Sequence, residues 1–458
     1  HAQGLAAMTI RPLALSLPPD EEWVIVTYRD GRRLRDRRFE WQVFERKPAD
    51  DKKDPLASAG ERAFVLGLDA RSELERQARK LLFAPEAIEI NQRVLQLTEA
   101  GLEGGPGPSA AIDFSALSKL PDVFSFRTVR TPRGTFGYVR VHTFNEADDD
   151  AFLAEFVRIV GLLPQAGLIL DVRNNGGGNI LAGERLLQIL TPRTIEPERF
   201  YFINSPLTLR ICEAQPSLAD WRASIAQAVE TGAVFSDGFS LLPLARYNDI
   251  GQKYQGPVVL VTDARCYSTT DIFTAGFQDH GIGRILGTCG STGAGGANVW
   301  THEFLRTLLP ADGSPWKPLP QNASFRVAVR RCTRVAKRAG TLVEDLGVIP
   351  DAIHRLTRRD VLNGNVDLIQ SAGAMLAGMP IHTVVATVAA GAAGKTLTVT
   401  TRNVDRLDLF VDGRPVRSLD VVDGTTTIEL PPSLESAATL EVRGFLAGEL
   451  AASARTAV

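Results

Sequence analysis

Leu168-Ile169-Leu170-Asp171-Val172-Arg173-Asn174-Asn175-Gly176-Gly177-Gly178-Asn179 is the stretch from which the fold can be read. Its first five residues are a short apolar run of the kind that makes a strand buried on both faces. Three glycines then permit positive φ angles and a close backbone approach to a ligand. Such a loop can present amide N–H groups to an anion or to a developing oxyanion. It is neither Gly-x-Gly-x-x-Gly nor a phosphate loop ending in Gly-Lys-Ser/Thr, so nucleotide binding has little support.

Working outward, 258–262 is a second buried-type strand, followed by a helix over 269–279 and a strand over 284–288. Upstream, 123–129 and 136–142 read as strands and 145–163 as an amphipathic helix with Asp148, Asp149 and Asp150 in its first turn. Residues 182–190 read as a helix. Strands alternating with helices predict an α/β layered core with parallel pairing. The stretch 196–255 breaks the alternation and reads as an insertion with a helix near 217–231.

The flanks differ in texture. Residues 22–28 and 38–44 read as the strands of a hairpin, with Asp30-Gly31 as the turn signal and Arg32, Arg33, Arg35, Arg37 and Arg38 as a basic cluster at that turn. No aromatic platform interleaves this cluster, so a solvated hairpin tip is favoured over a nucleic-acid patch. Residues 46–62 read as an exposed linker, 69–98 as helical and 101–109 as a flexible connection. After about residue 380, short strands at 383–388, 396–401, 407–411 and 438–443 suggest a separate β-sandwich module.

Composition bounds the function. The chain has 458 residues, 44% of them hydrophobic and 23% charged, which is ordinary for a globular protein. Its net charge of −2 gives no global field to attract nucleic acid or an anionic membrane. The cysteines, Cys212, Cys266, Cys289 and Cys332, are too few for a disulfide framework and lack zinc-ligand spacing. No metal or organic cofactor is expected. No run of about 18 apolar residues predicts a transmembrane helix. His1 opens the chain with no signal-peptide pattern after it, which fits a mature or truncated product.

Ligand sites in α/β sheets lie beyond the carboxyl ends of the strands, and three loops here are placed for that. One is the triglycine loop. A second is Asp263-Ala264-Arg265-Cys266-Tyr267-Ser268-Thr269-Thr270-Asp271, where a strand turns into a helix. Ser268 is there either a helix cap or an exposed nucleophile, with the Thr269 amide able to stabilise an oxyanion. Cys266 lies inside the turn and is read as packing. The third is Gly287-Thr288-Cys289-Gly290-Ser291-Thr292-Gly293-Ala294-Gly295-Gly296-Ala297-Asn298, a wall of a cleft or a strand edge for extended peptide.

Leu168 to Gly178 resembles the signature of the S41 serine peptidases, the C-terminal processing (tail-specific) protease family. Ser268-Thr269-Thr270-Asp271-Ile272-Phe273 resembles that family's nucleophile helix, and Glu344-Asp345-Leu346-Gly347-Val348-Ile349-Pro350-Asp351 its closing segment. The motifs fall in the family's order over residues 131–357, about half the chain. The resemblance implies an α/β crotonase-like (ClpP-like) core with β-rich flanking modules. It implies a 1–50 segment ending a PDZ-like domain and a catalytic core over 123–375; the linker and helical segment over 51–122 and the β-sandwich module over 381–458, which the resemblance does not cover, are read from the sequence texture.

By the same resemblance Ser268 is the nucleophile, and Thr269 with Gly176 or Gly177 forms the oxyanion hole. The processing proteases place a base lysine near the position of Gly293, yet no lysine occurs between Lys253 and Lys317. The chain is therefore closer to the Ser/His/Glu branch that includes the tricorn core protease and the chlamydial protease-like factor. Glu344 matches that branch's glutamate. Its histidine usually comes from a segment upstream of the PDZ-like domain. Within this chain His142, at a strand end on the loop-bearing side, is the best candidate base. His280 lies about 18 Å along the nucleophile helix from Ser268, and His302 ranks below His142. His354 and His382 lie outside the motif loops, and His1 is placed only if the N-terminus folds over the cleft.

The expected function is a serine endopeptidase acting on peptide or unfolded protein through a Ser268 acyl-enzyme. A homo-oligomer or a separate N-terminal segment are the expected partners, and an extracytoplasmic location follows from the resemblance alone. The rival readings are a non-proteolytic peptide- or ligand-binding protein on the same fold, and an acyl-transfer or hydratase-type enzyme.

Overall fold

The computed structural model describes residues 23–40, 118–146, 148–296, 298–309, 314–320, 323, 325–391, 394–430 and 439–457. The helix expected at 69–98, most of the 51–122 segment and the rest of the first 50 residues lie outside them. The chain divides into two compact units, one holding residues 23–40 and the other the residues from 118 onward.

In the first unit β1 (Trp23–Asp30) pairs antiparallel with β2 (Arg33–Glu40), Asp30 opposite Arg33, so Gly31-Arg32 is the turn. The sequence placed the second strand at 38–44; it begins at Arg33. That strand is exposed along its whole length, so no apolar alternation marks its start. The arginines read as a turn cluster therefore lie mostly on the strand. Arg35 pairs with Asp30 at 2.9 Å, and the Arg38 guanidinium stacks 4.9 Å from the Trp23 ring.

The second unit opens with β3 (Phe124–Thr131), β4 (Gly134–Val141), α1 (Asp149–Leu162), β5 (Leu168–Asp171) and α2 (Ile180–Ile189). There follow β6 (Arg199–Phe202), α3 (Pro206–Ala214), α4 (Ala219–Thr231), α5 (Leu244–Tyr247), β7 (Val258–Thr262), α6 (Thr269–Asp279) and β8 (Arg284–Gly287). Then come β9 (Asn298–Thr301), α7 (His302–Thr307), β10 (Arg326–Thr333), β11 (Ala352–Ile353), α8 (Arg358–Leu362) and α9 (Val366–Ala377).

The main sheet has the order β11-β8-β7-β5-β4-β3. Its neighbours are parallel except β3 and β4, which form a hairpin. Each central strand is buried on both sides, and the side-chain period of two sends its residues to two cores. Leu168, Leu170, Val258, Leu260 and Ile285 pack with Phe156 of α1, Leu186 of α2 and Phe273 of α6. Ile169, Val259, Val261 and Leu286 pack with Leu368, Ala372 and Leu376 of α9. This double coverage is why the strands read as continuous apolar runs. Parallel pairing also puts the carboxyl ends of β5, β7 and β8 on one edge, so their three following loops meet.

The 196–255 stretch is less separate than an insertion. Its strand β6 pairs with β10, which pairs with β9, in a second, three-stranded sheet. Residues 130 positions apart in sequence thus share a sheet, which no local pattern reveals.

After α9 come β12 (Thr383–Gly391), β13 (Gly394–Arg402), β14 (Arg406–Val411), β15 (Arg414–Asp420), β16 (Gly424–Glu429), β17 (Thr439–Leu446) and β18 (Glu449–Ala457). They form one sheet β12-β13-β16 and another β15-β14-β17-β18. Val384, Leu397, Leu407, Leu409, Leu440 and Val442 fill a core between them. The sequence marked four of these strands and missed β15, β16 and β18, which carry few large apolar residues. Gln255 joins this module to the main sheet, donating to the carbonyls of Val384 and Ser453 and accepting from the Val384 amide.

At the end of β5 the Asp171 carboxylate is fully buried and holds Arg140 at 2.6 Å, Arg173 at 2.7 Å and the Tyr138 hydroxyl at 2.7 Å. Burial alone would raise its pKa; the two guanidiniums overcome that and hold the carboxyl far below the usual range. Its stabilising contribution is therefore present above the ordinary carboxylate range and lost only in strong acid. Asp171→Ala strands two buried guanidiniums and should cost about 3–5 kcal/mol, read as a lowered urea midpoint with unchanged slope.

Candidate active site

Ser268 stands between β7 and α6 with φ 59° and ψ −124°. A capping serine has extended backbone and accepts a bond from an amide in the first helical turn. Ser268 has neither feature: its φ is positive and its side chain makes no capping bond. Among the described residues its Oγ has no hydrogen-bond partner. Such a backbone costs on the order of 1–3 kcal/mol in a residue with a Cβ and persists only where its surroundings impose it.

Those surroundings are three loops. Asp263 Oδ1 accepts from the Asn174 and Arg265 amides, both at 2.9 Å, and so joins the triglycine loop to the Ser268 turn. The Tyr267 amide donates to the Asn175 carbonyl at 3.1 Å. Gly177, at φ 102°, sits against Ser268: a Cβ there would lie 2.7 Å from the Ser268 Cβ and 2.8 Å from the Thr269 nitrogen. Gly178, at φ 138°, is pressed onto the chain at Phe144-Asn145, where a Cβ would come within 2.3 Å of backbone. These two close approaches are what the glycines are for.

The third loop is held by Asp271, in the first turn of α6. Its carboxylate accepts from the Ala294 amide at 3.2 Å and the Gly295 amide at 2.7 Å. The Ser268 amide and the Thr292 hydroxyl also bond to it. Burial pushes this carboxyl up to about 6 against the pull of those donors. The Tyr267 ring, partly exposed, lies against Gly293 and Gly295.

The Thr269 amide, the first of the helix, has no intrahelical acceptor and no other among the described residues. The Thr269 hydroxyl donates to the Gly178 carbonyl at 2.7 Å. The Gly177 amide donates to Asn175 Oδ1 at 3.0 Å, and Gly176 is also engaged. Cys266 is fully buried, its thiol pushed well up by burial, as its reading as packing requires.

Glu344 lies one loop away. Its Oε2 accepts from the Cys332 amide at 3.1 Å, and its own backbone nitrogen packs on Gly296. Partial burial raises its carboxyl pKa. His142 is buried just past β4, with Nε2 3.1 Å from Ser125 Oγ on β3. The next two residues reach the site: the Thr143 hydroxyl and the Phe144 amide both donate to the Gly177 carbonyl.

The other described imidazoles are held elsewhere. His280 bonds to the Glu196 carbonyl, His354 to Asp360 and Ser371, and His382 to the Asn403 carbonyl. The His302 ring packs on Phe325. Ser268, Thr269, Gly176 and Gly177 thus come together, while no hydrogen bond joins His142 or Glu344 to the Ser268 hydroxyl. Sequence reasoning gave no role to Asp263, Asn175 or Asp271. A carboxylate in the first turn of α6 was readable, but its partners in a distant glycine loop were not. Among the described residues no cluster is arranged to hold a metal ion, and no helix is long and apolar enough to cross a membrane.

Residues 135–352 match the model of peptidase family S41. That segment belongs to the S41 family. It contains all of the loops just described. The chloroplastic C-terminal processing peptidase of Tetradesmus obliquus is 32% identical over 123 residues, which are 27% of this chain and 25% of that protein. The chain thus aligns with about a quarter of the length of this curated relative. Among solved structures, mature CPAF complexed with lactacystin has a TM-score of 0.42 at 17% identity, over 56% of this chain and 55% of that one. The photosystem II D1 C-terminal processing protease has a TM-score of 0.33 at 20% identity, over 56% and 53%.

Because folding favours the neutral form of Asp271, its contribution to stability is complete below the ordinary value of 3.8 and is lost as pH rises through about 6. Asp271→Asn should flatten the stability profile between pH 4 and 6, measured by urea denaturation at each pH. An identical profile in the variant would place that titration on another group.

Proposed function

We propose that this chain is a serine endopeptidase of the S41 type, with Ser268 as nucleophile, on a crotonase-like core. The observation that carries the reading is the Ser268 backbone, held at positive φ with its hydroxyl unbonded beside a glycine loop. A serine that only began a helix would relax to the capping geometry. A serine at a strained strand-to-helix turn offers its Oγ to a substrate carbonyl instead.

In this reading Ser268 Oγ attacks the scissile carbonyl and loses its proton to a general base. The Thr269 amide donates to the tetrahedral oxyanion, joined by Gly176 or by Gly177, whose hydrogen Asn175 shares. The leaving amine takes a proton from the conjugate acid of the base, and water then resolves the ester. His142 is the imidazole we assign as base, and Glu344 the carboxylate that orients an imidazole or a water. The substrate is peptide or unfolded protein.

A second reading is a peptide-binding protein on the same fold. It is favoured by one observation, that Ser268 Oγ has no imidazole partner among the described residues. A fluorophosphonate probe separates the two. The peptidase reading expects covalent labelling of Ser268 in the wild type and none in Ser268→Ala, with both folded by circular dichroism. A folded wild type that resists the probe across pH 5–9 supports the binding protein.

Two further variants test the assigned parts. Gly177→Ala pushes a methyl group against Ser268 and Thr269 and should slow labelling by about 10²–10³, the range for loss of an oxyanion donor. His142→Ala should slow labelling and remove a titration near neutral pH from the rate profile. An unchanged rate and profile would take His142 out of the mechanism.

A further inference from the structure

Between α2 and the β6-β10-β9 sheet lie two glutamates outside the site described above. Glu184, on α2, and Glu198, just before β6, are each about 98–99% buried. Glu184 Oε1 accepts from the Glu198 backbone amide at 2.8 Å, so one carboxyl holds the chain segment that carries the other. Among the described residues Glu184 Oε2 and Glu198 Oε1 have no hydrogen-bond partner. The Tyr247 hydroxyl bonds to Glu184, and the Cys332 thiol lies 3.9 Å from Glu198 Oε2.

The charged and titratable groups facing the pair are few. Asp279 at the end of α6 and Arg334 after β10 are bonded to each other, and Arg338 also reaches Asp279. The Arg334 guanidinium is thereby committed to a different carboxylate. From β10, Cys332 faces the pair and Arg330 stands behind it within a cage of Phe200, Phe202 and Trp300 rings. Glu344 reaches the cluster through Cys332. Tyr247, from α5, completes the set. Among the described residues no cation is bonded to either glutamate. Two carboxylates in one buried site cannot both ionise without great cost, so the neutral acids fit where the anions do not.

We propose that Glu184 and Glu198 are a neutral, proton-holding pair that docks the 196–255 segment on the core, and that alkaline solution releases it. The titration agrees in direction: burial pushes Glu184 up to about 8 and Glu198 well above the ordinary range. Folding favours the protonated forms, so the stability Glu184 contributes is complete below about 4.5 and is lost as pH rises through about 8, and the contribution of Glu198 is likewise present in acid and lost in alkaline solution. The path to the catalytic edge is short. Cys332, beside Glu198, pairs with Phe200 of β6 and donates its amide to Glu344. Alkaline release of β6 would thus also shift Glu344, a consequence that rests on the function proposed above.

The test uses the whole chain. Infrared difference spectra between pH 7 and 10 should show loss of a protonated-carboxyl carbonyl band, which Glu184→Gln and Glu198→Gln each diminish. Asp271, pushed up only to about 6, is already about nine-tenths ionised at pH 7 and adds little over that range. Amide hydrogen exchange, corrected for its intrinsic pH dependence, should show residues 196–255 losing protection at pH 9 while 135–172 keep theirs. The glutamine variants, neutral at every pH, should keep it. Absence of the carboxyl band in wild type overturns the proposal even if the variants do not fold. So does equal alkaline loosening in wild type and variants. Neither readout needs hydrolysis, so failure here leaves the Ser268 reading standing. Failure of fluorophosphonate labelling at every pH would end that reading without touching this one.

Discussion

The contact of Gly177 with Ser268 sets the geometry of the loop-bearing edge of the main sheet. Two backbones approach so closely there that a single methyl group would lie 2.7 Å from the Ser268 Cβ. The approach requires β5 and β7 to be neighbours in parallel, with their carboxyl ends level. Parallel neighbours need crossovers, and here α2 and the β6 region supply one. Those connections bury both faces of the sheet, which is why β5 and β7 are almost wholly apolar, with the ion-paired Asp171 at the end of β5 as the charged exception. The helix α2 starts immediately after the glycine loop, with Asn179 as its cap, so its position is tied to the same contact.

Four buried carboxyls show how one functional group takes different work from its surroundings. Asp171 meets two guanidiniums and stays ionised, fixing the entry to the glycine loop. Asp271 meets neutral donors only, and its pKa is pushed up to about 6. Glu184 and Glu198 meet an amide, a phenol and a thiol, and burial prevails over all of them. The order follows the charge of the partners rather than the depth of burial, since all four are largely removed from water.

The sequence was most legible where one local pattern was enough. The runs 168–172 and 258–262 announced buried strands, and Ser268 with the glycines marked the edge where loops meet. Asp148 was readable as a helix start, and it caps α1 by accepting from the Ala151 amide. What was not legible depends on contacts between distant segments. The β6-β10 pairing and the Asp271 clamp on Ala294 and Gly295 are of this kind. The exposed strand β2 failed for the opposite reason: solvent accepts arginine at every position, so no periodicity records it.

The choice between cap and nucleophile at Ser268 was undecidable from composition, because both readings use the same residue beside the same helix. Backbone geometry argues against the cap and supports the nucleophile proposed above. A cap lowers the energy of its own helix, whereas Ser268 holds a positive φ that only its neighbours can sustain. Each neighbour grips a different atom: Gly177 crowds the Cβ, Asp271 takes the amide, and the Ile272 amide takes the carbonyl. The hydroxyl alone is left ungripped. An arrangement that grips a serine everywhere except at its Oγ leaves that oxygen for a partner from outside the loops, which is the division of contacts that the nucleophile proposed for Ser268 would require.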